Sequence, residues 1–96
     1  MNVIFIEEVK LEIDDTVLFY ELEQPNLGLL FKKELNRLID IIVDYPKIGS
    51  NENYSLKSLL LHKFPYKVIY SVNNDQILVL AIAHQHRKPE YWADRN

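Results

Sequence analysis

The sequence predicts an α+β domain in the order strand, helix, helix and three-strand meander, with the helices over one face of the sheet. Two changes of hydrophobic period carry that prediction. Apolar residues recur at spacings of three and four from Ile6 to Tyr45, then alternate or run on continuously from Tyr66 to Ala83. A third observation is the Gln24-Pro25-Asn26 break inside the helical stretch. It divides that stretch into two helices, which so short a link must fold back near antiparallel.

Asn2-Val3-Ile4-Phe5-Ile6 is a short apolar run and reads as the first strand. Ile6, Val9, Ile13, Val17 and Tyr20 then mark one stripe of an amphipathic helix over residues 7–23, with acids between them. The second helix, over 27–44, carries Phe31, Leu35, Leu38, Ile42 and Tyr45 on one face, widened by Leu27, Ile39 and Ile41. Pro46 and Gly49 stop it. Ser50-Asn51-Glu52-Asn53 reads as polar loop, and Tyr54 to Lys63 as a strand that Phe64-Pro65 interrupts. Tyr66, Val68, Tyr70 and Val72 alternate with Lys67, Ile69 and Ser71, the pattern of a half-buried strand. Asn73-Asn74-Asp75 is turn chemistry, because these residues tolerate positive φ. Ile77 to Ala83 is almost continuously apolar and is expected to be a central strand covered on both faces. From Gln85 the tail is polar apart from Tyr91 and Trp92.

A length of 96 residues fits one domain, 1–96. The 48% hydrophobic and 26% charged content is that of a folded protein. With no cysteine, disulfides, thiolate metal sites and cysteine nucleophiles are excluded, and a cytoplasmic protein is expected. No apolar run approaches the roughly 18–20 residues of a membrane span, and the N-terminus lacks the layout of a signal peptide. The net charge of −3 argues against a protein that simply coats nucleic acid. It hides an asymmetry, however: residues 1–53 carry −6, whereas 54–96 carry +3 and all three histidines. Either this is chance in a short chain, or an anionic partner meets the C-terminal half.

Two glycines, Gly28 and Gly49, cannot form a phosphate-binding loop. Glu7, Glu8, Glu12, Asp14 and Asp15 open a helix, where carboxylates favour the positive dipole end and solvent. His84 and His86 share a face at a strand end, but no third ligand is spaced to join them, so neither a metal nor another cofactor is expected. The densest chemistry is the run from Ala83 to Arg95, which holds His84, His86, Arg87, Lys88, Tyr91 and Arg95. Metal-free RNA cleavage needs a base, an acid and a cation for the phosphorane, and histidine, tyrosine and arginine can fill those roles. The alternative is structural: His84 satisfies a backbone group, Tyr91 and Trp92 cap the core, and Arg87 and Arg95 pair with the acidic helices. A second group, Lys57, Lys63 and Lys67, forms either a basic stripe for phosphate or ordinary solvated strand lysines.

The chain resembles the RelE/ParE superfamily of bacterial toxins, also called plasmid stabilisation proteins. The resemblance rests on Phe19-Tyr20, on Leu27-Gly28 followed by Phe31, on Tyr45-Pro46, on Lys63-Phe64-Pro65-Tyr66-Lys67-Val68-Ile69-Tyr70 and on the Ala83–Trp92 ending. It implies two antiparallel helices packed on a small, mainly antiparallel sheet. It also implies a toxin neutralised by a cognate antitoxin protein, with no cofactor and no membrane. One branch of the family cleaves mRNA on the ribosome; the ParE-like branch inhibits DNA gyrase. By resemblance, Arg87, Tyr91 and His84 would be catalytic in an RNA-cleaving member; Lys57, Lys63, His86, Lys88 and Arg95, in the basic C-terminal half, are the residues expected to contact the target. Lys57 stands alone where many members carry arginines, and RNA-cleaving members tend to be strongly basic. Together with the Phe-Pro-Tyr segment and the His-Arg-Pro-Tyr-Trp ending, these departures imply the ParE-like branch, with DNA gyrase the expected target and ribosome-dependent mRNA cleavage, or an inactive antitoxin-binding domain, the alternatives.

Overall fold

The computed structural model describes residues 1–53, 55–86 and 91–95. Its elements are β1 (Asn2–Phe5), α1 (Glu7–Glu23), α2 (Leu27–Asp44), β2 (Ser50–Asn51), β3 (Lys57–Leu60), β4 (Tyr66–Asn73) and β5 (Gln76–His84), followed by a single 3₁₀ turn at Ala93–Arg95. The sheet order is β1-β5-β4-β3-β2. β1 runs parallel to β5 and every other pairing is antiparallel. Two helices on a mainly antiparallel sheet is the α+β arrangement expected from the sequence. No helix among the described residues is long and apolar enough to cross a membrane.

The helical hairpin is fastened at its turn by side chains close in sequence. Asn26 takes a left-handed φ of 71°, which asparagine tolerates better than most residues. The Glu21 carboxylate accepts hydrogen bonds from the Asn26 and Gly28 N–H groups at 2.8 and 3.1 Å, so two donors at the start of α2 are satisfied from α1. A Cβ on Gly28 would lie 2.4 Å from the Val17 carbonyl oxygen, so only glycine lets the helix backbones come this close. Phe31, Leu35, Leu38 and Ile42 are buried, as their spacing requires. Tyr45 is not part of that face. It lies beyond the last helical turn, immediately before Pro46, and is 66% exposed.

Two expectations in the second half need correction. Ser50-Asn51, read as loop, pairs with Lys57 and Ser58 as a fifth strand. The run from Tyr54 to Lys63 shortens to β3, and Tyr54 lies outside the described residues. The shortening has local causes. Ser55 adopts φ 66°, and the Leu56 N–H turns back to the Asn53 carbonyl. At the other end the Leu61 N–H donates to the Tyr66 carbonyl and closes the β3–β4 turn.

β5 is buried on both faces. The helix face packs Val68, Tyr70, Ile77, Val79 and Ile82 against Val9 and the α2 stripe. The opposite face holds Ile69, Leu80, Ala81 and Ala83 under Leu56 and Trp92. A bulge lets these two sets coexist. Ile69 pairs with Ala81 but Tyr70 pairs with Val79, so Leu80 is an extra residue in β5 and alternation changes phase there.

Candidate functional site

The end of the sheet formed by the β3–β4 turn and the end of β5 collects most of the chemistry-bearing residues. In register Tyr66 faces His84, and their rings meet edge to face at 5.0 Å. Tyr66 also contacts Phe31, while Phe64 contacts both Phe31 and Tyr20, so α1, α2 and the turn share one aromatic cluster. Burial pushes the Tyr20 phenol above its ordinary pKa, and the Tyr66 hydroxyl and the Glu23 charge add to the effect. Gln85 N–H donates to the Pro65 carbonyl at 2.8 Å and ties the end of β5 to the turn.

His84 and His86 do come together, with ring centroids 5.4 Å apart. Their contact is structural: the His86 backbone N–H donates to His84 Nδ1 at 3.1 Å. An accepting Nδ1 places the proton of the neutral imidazole on Nε2. Among the described residues no group of three or more histidine, cysteine or acidic side chains is arranged to hold a metal ion.

The turn itself is held by Glu34. The residue is only 8% exposed, and its carboxylate accepts hydrogen bonds from the backbone N–H groups of His62 and Lys63. A carboxylate accepting several backbone donors is a strong local fastener. Lys63 therefore sits at the same end of the sheet as His84 and His86. Lys57 does not: it starts β3 at the opposite end and reaches Asn51 Oδ1 at 3.1 Å. Lys67 is not a freely solvated strand lysine. Its ammonium pairs with Glu52 at 2.8 Å and lies 5.4 Å from the Trp92 ring centre.

The C-terminal candidates divide. Arg87 and Lys88 lie outside the described residues. Tyr91 packs on the cluster opposite the helices, and Arg95 beside it reaches round the β5 edge to α1. Arg95 bridges Glu12 at 2.8 Å, donates to the Leu80 carbonyl at 3.1 Å and stacks over Tyr91. The Tyr91 hydroxyl points at the Ile82 carbonyl, 3.4 Å away. Glu12 also accepts the Ile82 N–H at 3.0 Å, so it is not the solvated helix acid its sequence context implied. These contacts cover the part of the β5 edge that β1, pairing only as far as Val79, leaves open.

Sequence reasoning missed Glu12 and Glu34 as organisers of the site. For Glu34 a signal was present: an acid inside the Phe31–Leu35–Leu38 stripe must find donors when that stripe is buried. For Glu12 the one signal was the structural alternative that pairs Arg95 with the acidic helices; nothing pointed to its other partner, the Ile82 N–H 70 residues away.

Comparison with known proteins matches this architecture. The family described as "ParE toxin of type II toxin-antitoxin system, parDE" matches residues 3–89. A solved structure described as "Chromosomal ParDE TA system from P. aeruginosa" superposes with a TM-score of 0.77 at 16% identity, covering 88% of this chain and 95% of that one. No curated protein matches the chain.

Proposed function

The chain belongs to the ParE toxin family of type II toxin–antitoxin systems, and from that premise we propose that it is a cytoplasmic toxin that acts by binding a macromolecular target, with DNA gyrase the target. In this reading residues 1–96 serve as one toxin domain. A cognate antitoxin neutralises it by laying an extended or helical tail along the groove between the hairpin and the sheet, or along an exposed sheet edge.

The observation that favours binding over RNA cleavage is that two of the C-terminal candidates are engaged by the chain itself: the Tyr91 hydroxyl faces the Ile82 carbonyl, and Arg95 is held by Glu12 and Leu80. General acid–base catalysis needs such groups within reach of substrate rather than of the protein's own backbone. Lys63, His86 and Lys88 are the contacts proposed for the target.

Expression of the chain is expected to produce double-strand DNA breaks and an SOS response, and purified gyrase is expected to retain the protein. Intact DNA together with codon-positioned mRNA cuts would reverse the assignment in favour of cleavage. In that event Arg87→Ala should abolish toxicity while leaving the circular-dichroism spectrum unchanged.

A further inference from the structure

Lys10, Lys67 and Arg95 are paired within the chain, with Glu7, Glu52 and Glu12. Lys33, Arg37 and Lys63 differ from them. All three are exposed, none has an ion-pair partner among the described residues, and together they line one trough. The trough, of about 680 Å³, lies between α2 and the β3–β4 turn, and Leu30, Glu34 and His62 complete its lining. Its one carboxylate is turned inward, where Glu34 accepts the backbone N–H groups of His62 and Lys63. Glu34 stands on α2 between Lys33 and Arg37, so the same bonds hold the cation of the turn in place beside the cations of the helix.

At about 100° per residue, Leu30, Lys33 and Arg37 lie across α2 from Gly28, where α1 packs, so the acidic helix is on the other side. Asp40 and Asp44 continue the stripe of Lys33 and Arg37 along α2 and bound the basic stretch there.

We propose that this trough docks the phosphodiester backbone of a DNA duplex held by the target enzyme. DNA gyrase works on duplex DNA, so this assignment rests on the gyrase reading above, and it extends the contact given to Lys63 along α2. Charge and spacing select the occupant. Lys33 and Arg37 are about 6 Å apart along the helix, and phosphates of one strand follow about every 3.4 Å along the duplex axis. Both side chains therefore reach phosphates of one strand, with Lys63 across the trough. Among the described residues that line it there is no Phe, Tyr or Trp, so the stacking platform that single-stranded nucleic acid uses is missing. Leu30 is the one apolar side chain of the lining, too little to anchor a peptide by burial. A net charge of −3 is compatible with such a site, because a few phosphate contacts require a local patch rather than a basic surface throughout.

The test follows the amide NMR signals of the full chain as a short mixed-sequence DNA duplex is added at low salt. Shifts are expected at residues 30–37 and 62–63 whatever the base sequence. Affinity should fall about 40-fold between about 50 and 200 mM salt, the slope of three phosphate contacts. Lys33→Glu combined with Arg37→Glu, both at exposed positions, should weaken binding roughly tenfold or more without changing the circular-dichroism spectrum. Shifts that miss these residues overturn the proposal. So does binding that ignores the double reversal, or tighter binding of single-stranded RNA or of an acidic peptide at the same residues. Retention on purified gyrase separates the DNA contact from the choice of target. Gyrase should hold the chain alone, and more firmly when the duplex is present. Equal retention with and without DNA overturns the DNA contact and leaves gyrase as the target, whereas retention in neither condition overturns both.

Discussion

The two faces of the sheet are covered in different ways. On one face two helices of 17 and 18 residues bring a continuous apolar layer, with Phe31 fully buried among the rings of Tyr20, Phe64 and Tyr66. On the other, cover comes from Leu56, Trp92 and a few polar contacts: Lys67 under the indole, Arg95 on Glu12, and Tyr91 over the β5 edge. The first is a hydrophobic core in the ordinary sense. The second is a patch held by one large ring and charge-assisted clasps, which release with less loss of buried area. Burial is thus nearly symmetric around β5, while the energy behind it is not.

The largest expected effect tests that asymmetry directly. Phe31→Ala should cost about 3–5 kcal/mol in urea unfolding, because the cavity opens among rings fixed by both helices. Trp92→Ala should cost about 3 kcal/mol or less, since the released tail regains conformational freedom. Trp92 is the sole tryptophan, so its fluorescence reports the tail face alone. That signal should change at lower urea than the helical circular dichroism, and coincident transitions would show the two faces to be equally secure.

A smaller effect separates the clasps from ordinary surface charge. Glu12→Ala removes the acceptor of the Ile82 N–H and the partner of Arg95, at a cost of about 1–3 kcal/mol. Glu8→Ala, an exposed acid on the same helix, should stay within about 0.5 kcal/mol. Equal effects would mean that the Glu12 clasp contributes nothing.

The smallest effect is a pH dependence. Burial alone would raise the Glu52 carboxyl pKa, but hydrogen bonds from Lys67 and Ser58 and the Lys67 charge outweigh it and hold the group below its ordinary value. A depressed folded value means that the stabilisation is present above the unfolded pKa of about 4.3 and is lost as pH falls through the folded one. Glu52→Gln should therefore cost under about 1 kcal/mol at neutral pH and nothing in strong acid. A cost that persists unchanged in acid would assign the effect to packing rather than to charge.

Both helices, the hairpin turn and the two long strands were legible in the sequence because each is written in local periodicity and punctuation. Pro25 and Asn26 break one helix and open the next wherever the segment is placed. β2 was not legible, since two polar residues become a strand only by pairing with β3. Lys57 and Lys63 read as parts of one stripe although they end at opposite ends of β3, because sequence proximity does not give the direction of a short strand's ends.

The periodicity alone determined that residues 7–44 form a helical hairpin and that Ile77–Ala83 is a strand buried on both sides; the sequence stripe of α1 did not announce that Leu11, Leu18, Phe19 and Leu22 stay exposed. Only the tertiary structure decided which side each residue of that strand faces. Strict alternation sets Ile82 and His84 on the opposite face from Ile77 and Val79. The bulge at Leu80 reverses that phase and sends Ile82 into the helix-side core and His84 to Tyr66. A side-chain period of two has no memory of where an extra residue falls. Its position is set by how β4 and β5 pair across the whole sheet, together with the Glu12 and Arg95 contacts that anchor Leu80 and Ile82 from distant parts of the chain.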